Sequence, residues 1–474
     1  MFLRLLYDDT LAQASYLIGC DGSGEALVVD PNRDIGRYLD LARREGFRVT
    51  HVTETHIHAD FVSGSRELAQ RTGARLYLSG MGGPDWRYRF AEEAHAVVLE
   101  DGARFRVGAI EVSVRHTPGH TPEHLMFLVT DTKSGRDPMG ALTGDFIFVG
   151  DVGRPDLLER AARQQGTMDA SARQLFASLR RCRDLPDYLQ IWPGHGAGSS
   201  CGKSLGAVPQ STLGYERRTN WAFAIEDEDE FVRRVLEGQP DPPRYFANMK
   251  RINRDGPPLR SASPSIQRLP PDQLASALAE GAVVDTRTAQ EYGRGAVRGT
   301  INIPANRAFT SWAGWLLPYD KDIYLITGTN GEESAAEIAK DLSGIGLDRV
   351  VGFFDAAGLN GRSTDGTLQT IPSIDAASIE KAAAEGGLAV VDVRTPGEWK
   401  TGHLPWARHV PLGDLPDRVG DLPKDRPIVV HCQAGGRAAI AASLLLARGF
   451  SDVRIFSGGF SEWKSAGKAV SHDP

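Results

Sequence analysis

One stretch of this chain is written twice, about a hundred residues apart. Val283-Val284-Asp285-Thr286-Arg287 with Glu291-Tyr292 returns as Val390-Val391-Asp392-Val393-Arg394 with Glu398-Trp399. Gly295-Ala296-Val297-Arg298-Gly299-Thr300-Ile301-Asn302-Ile303-Pro304 likewise returns as Gly402-His403-Leu404-Pro405-Trp406-Ala407-Arg408-His409-Val410-Pro411. A period this long exceeds a solenoid unit and fits a duplicated small domain. Each copy alternates short β-branched runs with helical stretches, as in Pro427-Ile428-Val429-Val430-His431 followed by Arg437 to Leu446. That alternation predicts a doubly wound parallel sheet in each copy.

The 474 residues leave room for more than the repeat, and at ~100 to 200 residues per domain two to four domains are expected. Residues Ala26-Leu27-Val28-Val29-Asp30 and Ile110-Glu111-Val112-Ser113-Val114 read as strands, and Ser65 to Thr72 and Ala170 to Leu179 as helices between them. A Pro- and Gly-punctuated stretch, from Gln239-Pro240-Asp241-Pro242-Pro243 through Asp255-Gly256-Pro257-Pro258 to Ser263-Pro264, reads as a connection. The expected domains are therefore 1–260, 261–372 and 373–474. A net charge of −7 and a pI near 6.0 argue against nucleic acid and membrane surfaces as partners, and point to small molecules. Met1-Phe2-Leu3-Arg4-Leu5-Leu6-Tyr7-Asp8-Asp9 turns acidic before it could form a secretory core, so a cytoplasmic protein is expected. Four widely spaced cysteines, Cys20, Cys182, Cys201 and Cys432, do not make a disulfide framework.

Chemistry enters with four motifs. Thr55-His56-Ile57-His58-Ala59-Asp60-Phe61 follows an apolar run, and Thr117-Pro118-Gly119-His120-Thr121, Leu142-Thr143-Gly144-Asp145 and Trp192-Pro193-Gly194-His195-Gly196 come after it. Each presents a metal-ligating side chain beside a glycine or at a strand end. In this order the motifs resemble the metallo-β-lactamase fold, which implies an αββα sandwich over the first half of the chain. Hydrolases of that superfamily carry a further histidine directly after the Asp of the first motif, as part of a second metal site. Here the position is Phe61.

The departure leaves His56, His120 and Asp145 as a single-metal set. Two imidazoles and one carboxylate with open positions suit non-haem Fe(II) and O₂. His58, Asp60 and His195 are then expected to support the iron ligands or iron-bound water by hydrogen bonds. Asp60-Phe61 together with Gly150-Asp151-Val152-Gly153-Arg154-Pro155-Asp156 resembles persulfide dioxygenases joined to rhodanese domains. The resemblance implies one iron per chain, a low-molecular-weight persulfide and O₂ as substrates, and contact of Arg154 with the thiol carrier. Cys201, in Gly198-Ser199-Ser200-Cys201-Gly202-Lys203, stands beside a cation that would favour its thiolate, and is a candidate accessory thiol. Cys20 is a second, expected to face the same pocket, and Cys182 reads as structural.

In Val429-Val430-His431-Cys432-Gln433-Ala434-Gly435-Gly436-Arg437 a strand runs into a helix and puts a cysteine at the helix N-terminus. Loop N–H groups and the helix dipole stabilise a thiolate or a bound anion there. Four residues separate Cys432 from Arg437, a ring smaller than the phosphatase loop and suited to a sulfane sulfur. The pattern, with Ser457-Gly458-Gly459-Phe460-Ser461-Glu462-Trp463 behind it, resembles rhodanese. Cys432 and Arg437 are the expected catalytic pair, and Gln433, Ala434, Gly435 and Gly436 the expected sulfur cradle. In the other copy, Leu325-Ile326-Thr327-Gly328-Thr329-Asn330-Gly331-Glu332-Glu333 aligns so that Gly328 takes the nucleophile's place and Glu333 that of Arg437, which predicts a catalytically silent domain. The combined expectation is oxidation of persulfide to sulfite at iron, with sulfur passed through Cys432 to or from sulfite and thiosulfate, in a homo-oligomer. A glyoxalase II-like thioester hydrolase with accessory rhodanese domains, and a non-enzymatic persulfide sensor or carrier, are the alternatives.

Overall fold

The computed structural model describes residues 1–160, 166–199, 201–203, 205–239, 241–260, 266–328, 330–359 and 368–472. The Ser263-Pro264 end of the expected connection and Thr329 of the expected silent loop lie outside them. The chain divides into two compact units, Met1–Ser263 with Ser343–Gly346, and Pro264–Leu342 with Leu347–Pro474.

The first unit is built on two six-stranded sheets. One orders its strands Phe2–Asp8, Gln13–Cys20, Glu25–Val29, Arg48–Thr53, Arg75–Ser79 and Val97–Leu99. The other runs Ser211–Thr212, Gln190–Pro193, Gly140–Gly144, Leu125–Asp131, Ile110–His116 and Arg104–Val107. Successive side chains on a strand face opposite ways, so Tyr16 and Ile18 join Val112, Phe127 and Leu142 between the sheets. Leu17 and Val28 point outward and are covered by Tyr38 and Leu41 of helix Gly36–Arg44 and Leu68 of helix Ser65–Thr72. On the other side Leu128 and Ala141 meet Ala172, Leu175 and Leu179 of helix Met168–Arg181. Both faces of both sheets are thus buried, the αββα sandwich expected. Strands Arg48–Thr53, Ile110–His116, Gly140–Gly144 and Gln190–Pro193 all release their chain at one rim, directly before His56, His120, Asp145 and His195.

The second unit holds two parallel sheets that repeat one strand order. Ala407–His409, Ala389–Asp392, Ile428–His431 and Val453–Phe456 form the later sheet. Ile301–Asn302, Ala282–Asp285, Ile323–Thr327 and Val350–Asp355 form the earlier one, which adds Gln267–Arg268 at its edge. Among the described residues, no helix is long and apolar enough to cross a membrane.

Candidate metal centre and sulfur-transfer loop

At the rim of the sandwich, His56, His120 and Asp145 bring their ligand atoms within 4.8 Å of one another, all buried. Asp145 Oδ2 lies 3.4 Å from His120 Nε2 and 3.9 Å from His56 Nε2. The His120 ring is set by its Nδ1–H, which donates to the Arg154 carbonyl at 3.0 Å and leaves Nε2 as the ligand atom. Burial, with Lys250 adding to it, pushes His120 down to about 3, and burial among other imidazoles holds His56 well below the usual range. Both rings are therefore neutral, as metal ligation requires. Among the described residues neither Asp145 oxygen has a hydrogen-bond partner. A buried carboxylate so poorly satisfied fits a bound cation. Backbone closeness matters too: a Cβ on Gly153 would run into the Asp145 carbonyl oxygen, and one on Gly194 would stand 2.8 Å from Asp145 Oδ1.

His58 lies outside this group of three, with its ring 4.2 Å from that of His56. Its Nε2 sits 3.1 Å from Asp30 Oδ1, and although burial opposes it, the Asp30 charge lifts the imidazole to about 9. Phe61, fully buried, packs its ring 4.4 Å from that of His58. Asp60 and His195 stay beside the centre: His195 Nε2 is 3.3 Å from Asp60 Oδ2 and 3.4 Å from Asp145 Oδ1, and its Nδ1–H donates to the Ala12 carbonyl at 2.9 Å. With Cys201 these two form a further group of three potential ligands within 4.8 Å.

The cysteine expectations need correction. Burial against Asp145 and Asp60 pushes the Cys201 thiol well above its ordinary value, so the neighbouring cation does not favour a thiolate. Lys203 instead gives its ammonium to the Arg234 carbonyl at 2.6 Å. Cys20 lies at the far end of strand Gln13–Cys20, whose Gln13 bridges to His195. Eight residues at ~3.3 Å each carry it over 20 Å from the metal rim. Its sulfur accepts the Ala109 N–H at 3.3 Å, which draws the thiol down to about 7. Arg154 is fully buried, its guanidinium bonded to both Asp156 oxygens at 2.8 and 2.7 Å.

Sequence reading missed three residues that hold the centre. Asp30 accepts the Thr55 N–H at 2.6 Å and the Thr55 hydroxyl at 2.9 Å as well as binding His58. His124 accepts the Asp145 N–H on Nε2 at 3.1 Å. Asn253, nearly two hundred residues from the first motif, donates to the His58 and Phe61 carbonyls at 2.8 and 2.7 Å and accepts the Ser63 N–H at 2.9 Å. The Asp-Pro after an apolar run, and a histidine four residues past His120, were signals for the first two. For Asn253 there was none.

In the later sheet of the second unit, Cys432 follows strand Ile428–His431 and leads into helix Gly436–Ala447. Its sulfur accepts the Gly435 N–H at 3.1 Å. Gly435 has φ +87°, and a Cβ there would strike the Ser457 carbonyl oxygen, so the tight turn requires glycine. The Ser457-Gly458-Gly459-Phe460-Ser461 segment locks the loop: Phe460 N–H donates to the Cys432 carbonyl at 2.8 Å, and Ser461 N–H to that of Gln433 at 3.1 Å. Arg437 is held bidentate by Glu398 at 2.7 and 2.6 Å. Cys432, Gln433, Ala434, Gly436 and Arg437 line one cavity.

The earlier copy carries a comparable loop, one residue out of the expected register. Asp392 pairs with His431 and Asp285 with Ile326. The Val393 N–H donates to His431, and the Thr286 N–H to Ile326. Thr327, not Gly328, therefore stands where Cys432 does. Asn330, with φ +61°, matches Gly435, and Glu332, not Glu333, matches Arg437. Counting glycines misled the alignment, because a left-handed Asn replaces the turn glycine. Thr327 is fully buried, and its hydroxyl has no partner among the described residues.

Residues 8–195 match the metallo-β-lactamase superfamily, and residues 375–466 the rhodanese-like domain. A solved structure described as a metallo-β-lactamase from Staphylococcus aureus subsp. aureus COL is 44% identical, with 75% of this chain and 99% of that chain covered at a TM-score of 0.69. The chain belongs to the metallo-β-lactamase superfamily and ends in a rhodanese domain. Within that superfamily it is 29% identical to the mitochondrial persulfide dioxygenase ETHE1 of Homo sapiens, over 49% of this chain and 80% of the relative. It is also 31% identical to a hydroxyacylglutathione hydrolase of Methylococcus capsulatus, over 38% of this chain and 60% of that protein. The chain spans 54% and 60% of the lengths of two of the curated relatives it matches.

Proposed function

We propose that this metallo-β-lactamase–rhodanese fusion oxidises the sulfane sulfur of a low-molecular-weight persulfide to sulfite at one Fe(II), and transfers sulfur through Cys432. The observation that carries the reading is the buried His56, His120 and Asp145 set beside Phe61, which stands where a hydrolase keeps another histidine. Two neutral imidazoles and a carboxylate would hold Fe(II), which supplies O₂ activation and a place for the persulfide sulfur. The balance is RSS⁻ + O₂ + H₂O → RSH + SO₃²⁻ + H⁺, with sulfur oxidised and O₂ reduced. This chain's own residues orient the site: Arg154 fixes the His120 ring through its carbonyl, Asp30 holds His58 by a hydrogen bond, and the fully buried Phe61 packs on the His58 ring. Cys432 persulfide gives its outer sulfur to sulfite, forming thiosulfate and restoring the thiolate, or runs in reverse. The earlier copy, with Thr327 and Glu332 at the two key positions, is read as a catalytically silent rhodanese-like domain.

Persulfide-dependent oxygen uptake with one iron per chain is the expected result, lost in His120→Ala. A second reading, a two-metal thioester hydrolase, is favoured by the Asp60, His195 and Cys201 group. Two metals per chain together with hydrolysis of an acylglutathione would replace the first reading with it.

A further inference from the structure

Part of the cavity around Cys432 is not supplied by the copy that carries the cysteine. Its volume is about 510 Å³, and Thr288, Ile303, Pro304, Asn306, Ala308 and Trp312 of the earlier copy line it. The two copies share one compact unit. Helix Gly436–Ala447, which begins at the transfer loop, packs on strand Ile301–Asn302 of the earlier sheet. There the buried Ser443 hydroxyl accepts the Asn302 N–H at 2.9 Å. The wall therefore stands in fixed relation to the nucleophile.

The character of the cavity tells what it takes. Among the described residues that line it, Arg437 is the one formally charged residue, and its Nη1 and Nη2 are already taken by a bidentate pair with Glu398. A doubly charged oxyanion would find loop amides but, among the described lining residues, no cation without a carboxylate partner. The wall offers instead proline and alanine surface and a partly exposed indole. Cavities of about 300 to 1,000 Å³ with apolar walls and a few polar groups suit small organic molecules, and this one far exceeds the needs of a small sulfur oxyanion.

We propose that the earlier copy is the carrier-binding half of the transfer site, with Trp312 a specificity-determining residue for the organic body of a low-molecular-weight persulfide. Cys432 is thus loaded by a carrier persulfide in preference to thiosulfate, which gives the transfer a direction. The inference rests on Cys432 as the nucleophile. In the loading step the Cys432 thiolate attacks the outer sulfur of R–S–SH. The S–S bond of the carrier persulfide breaks, a bond from the Cys432 sulfur to the outer sulfur forms, and R–S⁻ departs to take a proton from solvent. No net oxidation occurs and no co-reactant is needed.

The test is anaerobic single-turnover loading of the full chain with glutathione persulfide or with thiosulfate, followed by mass spectrometry of the Cys432 peptide. The wild type should load faster from glutathione persulfide. Trp312→Ala should lower the ratio of the two loading rates about tenfold, and Trp312→Phe should restore most of it. A ratio unchanged in Trp312→Ala, even if both rates fall, would show a merely structural tryptophan and overturn the proposal. Faster loading by thiosulfate in the wild type would overturn it as well. If Cys432→Ser leaves transfer of sulfur to cyanide intact, the nucleophile itself is misassigned, a failure that does not depend on the Trp312 ratio.

Discussion

Glu398 accepts two N–H bonds from Arg437 and, in a capping box, the backbone N–H and hydroxyl of Thr395. Although partial burial opposes it, these bonds draw the carboxyl down to about 2 from an ordinary 4.5. A carboxylate depressed on folding adds stability that is complete above its unfolded value and disappears as pH falls through its folded one. The unfolding-midpoint gap between wild type and Glu398→Gln should therefore be constant from pH 8 to 5 and narrow steadily below about 4.5. Denaturant titrations at several pH values measure it, and a gap that widens in acid would contradict the sign. The pair is also partly solvent-exposed, so its effect on stability is modest, and its larger consequence is to neutralise the cation beside Cys432.

The loop from His58 to Ser63 hangs on Asn253 of helix Phe246–Asp255 through three hydrogen bonds. Asn253→Leu would leave two carbonyls and one N–H buried without partners, at about 1 to 3 kcal/mol for each group left bare. A lower melting temperature and reduced iron per chain are expected, read by calorimetry and metal analysis on the same sample. Undiminished iron would show that the loop holds its ligands without the clamp. In the earlier copy Thr327 stands at the nucleophile position and Glu332 at that of Arg437. In a Cys432→Ser background, Thr327→Cys should still transfer no sulfur to cyanide, since this copy has Glu332, an acid, at the position of Arg437. Measurable turnover by that variant would mean that the copy lacks nothing but a thiol.

At the scale of the molecule the two proposed chemistries draw on separate sets of residues, His56, His120 and Asp145 for one and the Cys432 loop for the other. His120→Ala should abolish persulfide-dependent oxygen uptake and keep sulfur transfer. Cys432→Ser should do the reverse, with sulfite accumulating in place of thiosulfate. An oxygen electrode and sulfite analysis on both variants check the pair. Loss of oxygen uptake in Cys432→Ser with a free small-molecule persulfide would mean that the iron site is fed through the cysteine.

The features legible in the sequence were those whose chemistry is local. A metal ligand beside a glycine at a strand end, or a cysteine at the start of a helix, needs particular residue types at short spacing. His56, His120 and Asp145, which the fold brings within 4.8 Å of one another, and Cys432 could therefore be singled out one motif at a time, and the repeated Val-Val-Asp run pointed to the two sheets that share one strand order. What depends on distant packing was not legible. Asn253 reaches the metal loop from another helix, Cys20 and Cys201 differ because one strand end is over 20 Å from the other, and burial against carboxylates outweighs a neighbouring lysine. The register of the earlier loop was decided by hydrogen bonds between strands, which count pairs of residues across a sheet, while sequence alignment counts glycines along a chain. That Arg437 is neutralised, and that the earlier copy walls the cavity of the later one, are likewise properties of side chains brought together only by the tertiary structure.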